Sequence, residues 1–409
     1  MRTGHAKSGR RERLLIVGGG MAALKLTEEL VVLAPGRYDI TIASKETHLP
    51  YNRVLLSSLL AGEAREPDLT LRPEAWYAAN GVALLSGVEV ISIDGDRREA
   101  VLSGGARLPY DRLVLATGST PVRLPVPGHA LPGVLTFRDL DDVRMLQGLA
   151  PGARAVVIGG GLLGIEAAYG LALCGVRVTL LHIMDRLMER QLDARAALLL
   201  KEAVAARGIT VDLTAETAAI EGRGAVERVV LRDGRILPAD MVVMAAGIRP
   251  ETTLARSIGL EIGRGIKVDD ALETSRAGIH AIGECAEHRG TCYGIVEPAY
   301  EQARALAAHL SRKSGGYGGS VLATSLKVSG IPLYSMGDFE GEGAEIITLE
   351  DEAAATYRRF VVREDRLAGV VLFGDTADAF WYRELIAGAA PLADVRPLLA
   401  FGKAYAEAA

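Results

Sequence analysis

Two glycine clusters carry the candidate chemistry of this chain. Gly18, Gly20 and Ala23 fill a GxGxxG/A pattern after the apolar run Leu14-Leu15-Ile16-Val17. Gly159, Gly161 and Gly164 fill a complete GxGxxG after Ala155 to Ile158. Glycine lets a strand turn tightly into a helix and lets the backbone approach a pyrophosphate. The helix that follows offers free N–H groups and the positive end of its dipole to that anion. One such turn decides little, because glycine-rich turns also end ordinary strands. The second copy starts 141 residues after the first, and both copies close in the same way. Asp111 leads through Leu113-Val114-Leu115 to Ala116-Thr117-Gly118, with Pro121 beyond it. Asp240 leads through Met241 to Met244 and on to Ala245-Ala246-Gly247, with Pro250 beyond it. This is an internal duplication of a nucleotide-binding unit.

Two dinucleotide sites point to two dinucleotides, and a flavin with a nicotinamide is the economical pairing. Hydride transfer between them needs positioned rings rather than a proton-handling side chain. The sequence accordingly offers no catalytic triad and no metal cluster. Glu46 lies 23 residues after Ala23, near where an acid binds ribose hydroxyls, although Lys45 beside it is unexpected. Arg53 is either a phosphate partner or a surface cation. Ile279 to Ile282 reads as a strand ending on Gly283 and Glu284. Gly283 permits close approach, and Glu284 is either an acceptor for ribityl hydroxyls or a surface acid. The helix opening at Glu297-Pro298-Ala299 has Pro298 in its first turn, and its N-terminus suits the negative charge of a reduced flavin.

These residues need a particular scaffold. The segment at Gly283 returns after the second fingerprint, so the first unit is split and the second is inserted in it. The expected fold is α/β, with two Rossmann-like dinucleotide-binding domains of the glutathione-reductase kind and a smaller α+β C-terminal domain. The FAD-binding domain spans 13–118 and 250–314. The NAD(P)H-binding domain spans 119–249, and the C-terminal domain spans 320–409. Residues 1–12 read as a disordered basic tail. Helices are expected at Met21 to Leu33, stopped by Pro35-Gly36, at Leu162 to Cys174, stopped by Gly175, and at Asp193 to Arg207. Asp233-Gly234 marks a hairpin. Beyond the glycine-rich linker at 315–319, strands include Leu326-Lys327-Val328 and Tyr357 to Val362. A closing helix starts at Phe380. Phe380, Trp381 and Tyr382 suit either core packing or acceptor docking, and the C-terminal domain either packs on the flavin domain or forms a homodimer surface.

Composition narrows the class. A chain of 409 residues has room for two or three domains, and 49% hydrophobic with 24% charged residues is an ordinary globular balance. A net charge of −5 without a basic stripe speaks against a nucleic-acid partner. No apolar run reaches the about 18 residues of a membrane span, and no export signal is visible, so the expected location is cytoplasmic. Cys174, Cys285 and Cys292 form no CxxC pair and read as thiols of a reducing compartment.

The fingerprint pair, Tyr51 to Ser58, Leu187-Met188-Glu189-Arg190-Gln191-Leu192-Asp193 and Gly283 to His288 resemble the two-dinucleotide-domain flavoprotein reductases. Within these they resemble the FAD- and NAD(P)H-binding part of the assimilatory nitrite reductase large subunit, and the related electron-transfer subunit of assimilatory nitrate reductase. The resemblance covers about residues 12 to 400. It implies FAD at Gly18, Gly20, Ala23, Glu46, Arg53, Val90 (through its backbone), Thr117, Gly118, Gly283 and Glu284. It implies NAD(P)H at Gly159, Gly161, Gly164, Glu166 and Gly247, with Glu166 near the nicotinamide carboxamide. The position of the ribose acid in NADH users is His182, which leaves NADPH open, with Arg177 and Arg186 nearby.

Relatives that reduce disulfides carry a cysteine pair beside the flavin, and this sequence has none. It also ends without the cysteine clusters of an iron–sulfur and sirohaem domain. The expected activity is therefore an NAD(P)H-dependent FAD reductase that hands electrons to a separate redox protein, a nitrate or nitrite reductase component. A ferredoxin or rubredoxin reductase of another pathway is the near alternative. A flavin-binding regulatory protein without turnover is the distant one, against which the intact second fingerprint stands.

Overall fold

In the computed structural model the described residues are 10–326, 330–393 and 395–408. Most of the expected tail, and Lys327 and Val328 of an expected strand, lie outside them. The described residues form two bodies. The first comprises residues up to Val54, Glu66–Thr120 and Ile248–Ser320; the second comprises Leu55–Arg65, Pro121–Gly247 and Val321 onward.

The first body is built on a five-stranded parallel sheet. Its order is Ile279–Ala281, Arg112–Leu115, Glu12–Val17, Tyr38–Ser44 and Val82–Ser86. Its central strands are apolar and buried on both faces, as a parallel sheet covered on both sides requires. The helix Met21–Leu33 buries Met21, Ala23, Leu24, Leu26, Thr27 and Leu30, the spacing of one helical face. The long helix Val296–Leu310 packs beside it, and the Tyr38 hydroxyl donates to the Leu310 carbonyl at its end (2.8 Å). The helix opens two residues before Pro298. A three-stranded antiparallel flap, Val90–Asp94, Glu99–Leu102 and Arg107–Pro109, completes the unit.

The second body repeats this plan. Its parallel sheet runs Val134–Thr136, Met241–Met244, Arg154–Ile158, Arg177–Leu181 and Thr210–Asp212, and its flap is Thr217–Glu221, Arg228–Leu231 and Ile236–Pro238. The duplication extends to a staple at the sheet's far end. The Arg13 amide and side chain donate to Asp111 at 2.8, 3.1 and 2.9 Å. Arg154 makes the same three bonds to Asp240 at 2.8, 3.1 and 2.6 Å. One element differs in origin: the outer strand beside Arg112–Leu115 comes from after the inserted unit, whereas the one beside Met241–Met244 belongs to the inserted unit itself and precedes its glycine loop.

The C-terminal segment adds a five-stranded antiparallel sheet: Ala323–Leu326, Leu333–Gly337, Arg366–Phe373, Thr356–Arg363 and Glu345–Asp351. The helix Ala379–Gly388 covers it through Tyr382, which is fully buried and donates to the Leu399 carbonyl at 2.8 Å. Trp381 is half-buried and Phe380 is exposed, so the aromatic cluster divides between core and surface.

Packing assigns two segments to the second body. Residues 55–65 belong to the second body rather than the flavin unit. Leu60 packs against Gly170, its carbonyl accepts from the Cys174 thiol (3.5 Å), and the Leu59 carbonyl accepts from Gln147 (2.9 Å). Both leucines are buried, at about 1.5–3 kcal/mol each, and that burial decides the segment's place. The C-terminal sheet falls in the same body as the second nucleotide unit and is tied to it by side chains. Ser335 donates to the Gln191 carbonyl, Tyr357 donates to Asp193 (3.1 Å), and Arg195 pairs with Glu350 (2.9 Å). No described helix is long and apolar enough to cross a membrane.

Candidate functional sites

Each glycine loop is shaped by close packing behind it and open space in front. Gly18 has φ +113°, and a Cβ there would lie 2.1 Å from the Ala116 carbonyl oxygen. Gly159 has φ +127°, and a Cβ would lie 2.2 Å from the Ala245 carbonyl oxygen. Only glycine fits either place. The middle glycines face the end of the neighbouring strand: a Cβ on Gly19 would meet Ser44, and one on Gly160 would meet His182. Gly20 and Gly161 differ from these, because nothing lies within 4 Å of where their Cβ would stand. Both cap their helices with nearly the same backbone, φ −81° with ψ −174° and −178°. Neither helix has a side-chain cap or an acidic residue in its first turn. The first N–H groups therefore remain for an anion, in space that glycine leaves free. Ala23 is buried in its helix, and a Cβ at Gly164 would strike the Gly159 carbonyl at 1.8 Å.

In the first body the expected residues are held by specific partners. Thr117 donates to the Glu251 carbonyl at 2.9 Å, and the Glu251 amide donates to the Gly118 carbonyl. Gly118 has φ +70°. Glu284 sits in the turn Gly283–Cys285 and accepts from the Ser119 hydroxyl at 2.7 Å. The Gly283 amide donates to the buried Gln302 Oε1 at 2.7 Å. Pro298 is buried in the first turn of its helix, which also carries Glu297. Val90 is buried at the start of the flap, two residues after Val88, whose amide donates to the Ser44 carbonyl. Glu46 and Arg53 pair with each other. The Tyr51 hydroxyl donates to Glu46 (2.9 Å), and the Arg53 guanidinium lies 4.9 Å from the centre of the Tyr51 ring. The strand-end place opposite the loop belongs to Ser44, two residues before Glu46.

In the second body Glu166 is buried on the helix Leu162–Leu173. Gly247 has φ +104° with open space around it, and its carbonyl accepts from the Val122 amide. His182 does not project freely. It is buried, with Nδ1 accepting from the Gly160 amide (3.1 Å) and Nε2 against Glu189 (2.9 Å).

The structure adds Ser44, Ser119, Gln302 and the partnership of His182 with Glu189 to the residues that the sequence marks. Ser44 was findable by counting from the strand end. The others depend on contacts between distant segments. Of the thiols, Cys285 is fully buried with its Sγ 3.3 Å from both the Leu115 and the Ile282 carbonyl, either of which accepts its one proton, and burial pushes its pKa up.

Residues 12–307 match the model for the pyridine nucleotide-disulphide oxidoreductases, and residues 323–389 match that for the rubredoxin NAD+ reductase C-terminal domain. The chain belongs to the pyridine nucleotide-disulphide oxidoreductase family. Its cofactors are those of the family, FAD and NAD(P)H. It is 44% identical over 371 residues to the nitrite reductase [NAD(P)H] of Bacillus subtilis, covering 90% of this chain and 46% of that one. It is 42% identical to the assimilatory nitrate reductase electron transfer subunit of the same organism, covering 90% and 48%. The chain thus spans about half the length of these curated relatives. A crystal structure of the ferredoxin reductase for the CYP199A2 system of Rhodopseudomonas palustris superposes with a TM-score of 0.87 at 28% identity, covering 95% of this chain and 98% of that one.

Proposed function

We propose that this family member uses NAD(P)H to reduce FAD and passes the electrons to a separate redox protein of nitrate or nitrite assimilation. One observation carries the cofactor assignment: two glycine loops of matching geometry, each with an uncapped helix N-terminus and an open glycine. In this reading the first body holds FAD. Gly18, Gly20 and Ala23 shape the pyrophosphate turn, and Glu46, Arg53, the Val90 backbone, Thr117 and Gly118 contact the nucleotide and the ring. Gly283, Glu284 and the helix at Pro298 face the flavin end. The second body holds the nicotinamide dinucleotide through Gly159, Gly161, Gly164 and Gly247, with Glu166 orienting the carboxamide and His182 at the ribose end. Hydride transfer from nicotinamide to flavin is the chemistry these cofactors supply when bound.

The resemblance to the two Bacillus subtilis proteins supports the nitrogen-assimilation acceptor. A ferredoxin or rubredoxin acceptor is the second reading, favoured by the C-terminal domain match and by the superposed ferredoxin reductase. Anaerobic mixing with NADH or NADPH should bleach the flavin absorbance within seconds. A flavin still oxidised after minutes with both overturns the reductase reading. Co-purification of the native acceptor separates the two acceptors. The three cysteines are unpaired, which suits the reducing cytoplasm. Fractionation that finds the protein among secreted ones overturns that placement.

A further inference from the structure

The second phosphate loop is held by a relay that follows from its middle glycine. The Gly160 amide donates to His182 Nδ1 at 3.1 Å, and the Gly160 carbonyl accepts from the Met188 amide at 3.0 Å. With Nδ1 accepting, the ring proton sits on Nε2 and is donated to Glu189 Oε2 at 2.9 Å. Gly160 must be glycine for this arrangement, since a Cβ would lie 2.6 Å from both the His182 ring and Leu187. His182 follows the strand Arg177–Leu181, the place where a dinucleotide fold sets its ribose-binding acid. A ring whose Nδ1 is occupied and whose Nε2 donates cannot accept hydrogen bonds from two ribose hydroxyls. Glu189 brings a carboxylate to the far side of that ring. Its side chain is 21% exposed, and its second oxygen meets only Arg190 Nε, at 3.7 Å, among the described residues. Arg186 stands by Asp185 (3.8 Å) and Glu340 (4.0 Å), two carboxylates that offset its charge.

We infer that Glu189 is the carboxylate that recognises the adenosine ribose, that His182 positions it, and that the chain therefore selects NADH over NADPH. A 2′-phosphate would set its charge against the Glu189 carboxylate, whereas the 2′- and 3′-hydroxyls would donate to it. This rests on the reading that the second body holds the nicotinamide dinucleotide.

The test uses the FAD-loaded protein and two turnover-independent probes, ADP-ribose and 2′-phospho-ADP-ribose, titrated calorimetrically. The unaltered protein should bind ADP-ribose at least about tenfold tighter, the worth of one charge-assisted hydrogen bond. Glu189→Gln should erase most of that preference and raise KM for NADH more than it lowers kcat. His182→Phe fills the same space without either hydrogen bond and should shift the preference in the same direction. His182→Gln, which keeps an amide donor toward Glu189, should restore part of it. Tighter binding of 2′-phospho-ADP-ribose by the unaltered protein overturns the inference without any variant. So does a Glu189→Gln protein that binds ADP-ribose with its preference unchanged, and in that case the site assignment survives. Binding of neither probe overturns the site assignment and the inference together.

Discussion

The two nucleotide units are alike in the backbone of their glycine loops and unlike in the side chains around them. Both have a positive-φ glycine against a carbonyl, an open N-cap glycine and an Arg–Asp staple of nearly equal bond lengths. At the strand end the first unit has Ser44 with a Glu46–Arg53 pair beyond it, whereas the second has His182 backed by Glu189. Their outer strands differ too. In register, His280 of the first unit stands beside Val114 where the second unit sets Leu135 beside Val243. A pyrophosphate asks only for N–H groups and room, so glycine and helix geometry satisfy it in both units. Riboses and rings demand particular side chains, and there the copies diverge.

The sharpest way to break the comparison is at the tight glycines. Gly18→Ala and Gly159→Ala each combine φ above +100° with a carbonyl near 2 Å, so each should cost about 3 kcal/mol or more. Denaturant midpoints measure the loss, and Gly18→Ala alone should also strip FAD during purification. Unchanged stability in either would mean that the loop relaxes.

The outer strands offer a pH contrast. Burial pushes the His280 pKa down to about 4. The unfolded chain binds that proton near pH 6.5, so it holds more protons than the native state between the two values. Stability is therefore full above pH 6.5, falls by about 3 kcal/mol on acidification to pH 4, and is independent of this group below that. His280→Leu, taken from the second unit, should remove that slope. A pH profile of thermal midpoints that keeps the slope in the variant assigns it elsewhere.

The open glycines should separate folding from binding. Gly20→Ala and Gly161→Ala meet no atom and no strained φ, so stability should change by about 1 kcal/mol or less. FAD affinity should fall about tenfold only in Gly20→Ala, and kcat/KM for the nicotinamide about tenfold only in Gly161→Ala, the loss of roughly one hydrogen bond to the anion. Crossed effects would reverse the assignment of sites.

The staples should give the smallest effect and the most equal one. The Arg13 and Arg154 guanidiniums hold Asp111 and Asp240 below the usual carboxylate range, Asp240 at about 2. Such depressed groups add stability above the unfolded pKa and lose it as pH falls from about 4 toward 2. Both pairs are partly exposed, so Asp111→Asn and Asp240→Asn should each cost about 1 kcal/mol or less by chemical denaturation at pH 7. A large inequality between them would show that the two units are held differently.

The sequence by itself determined the duplication, the glycine turns, the helix Met21–Leu33 and the return of the chain at Gly283. Each of these is written locally, in apolar runs, glycine spacing and stop residues. Only the tertiary structure decided that Arg53 meets Glu46, that His182 is taken by Gly160 and Glu189, that residues 55–65 and the C-terminal sheet join the second body, and that Gln302 braces Gly283. Those outcomes depend on which distant segments share a desolvated space. A buried polar group takes whatever partner packing brings within about 3 Å, and residue spacing along the chain does not carry that distance.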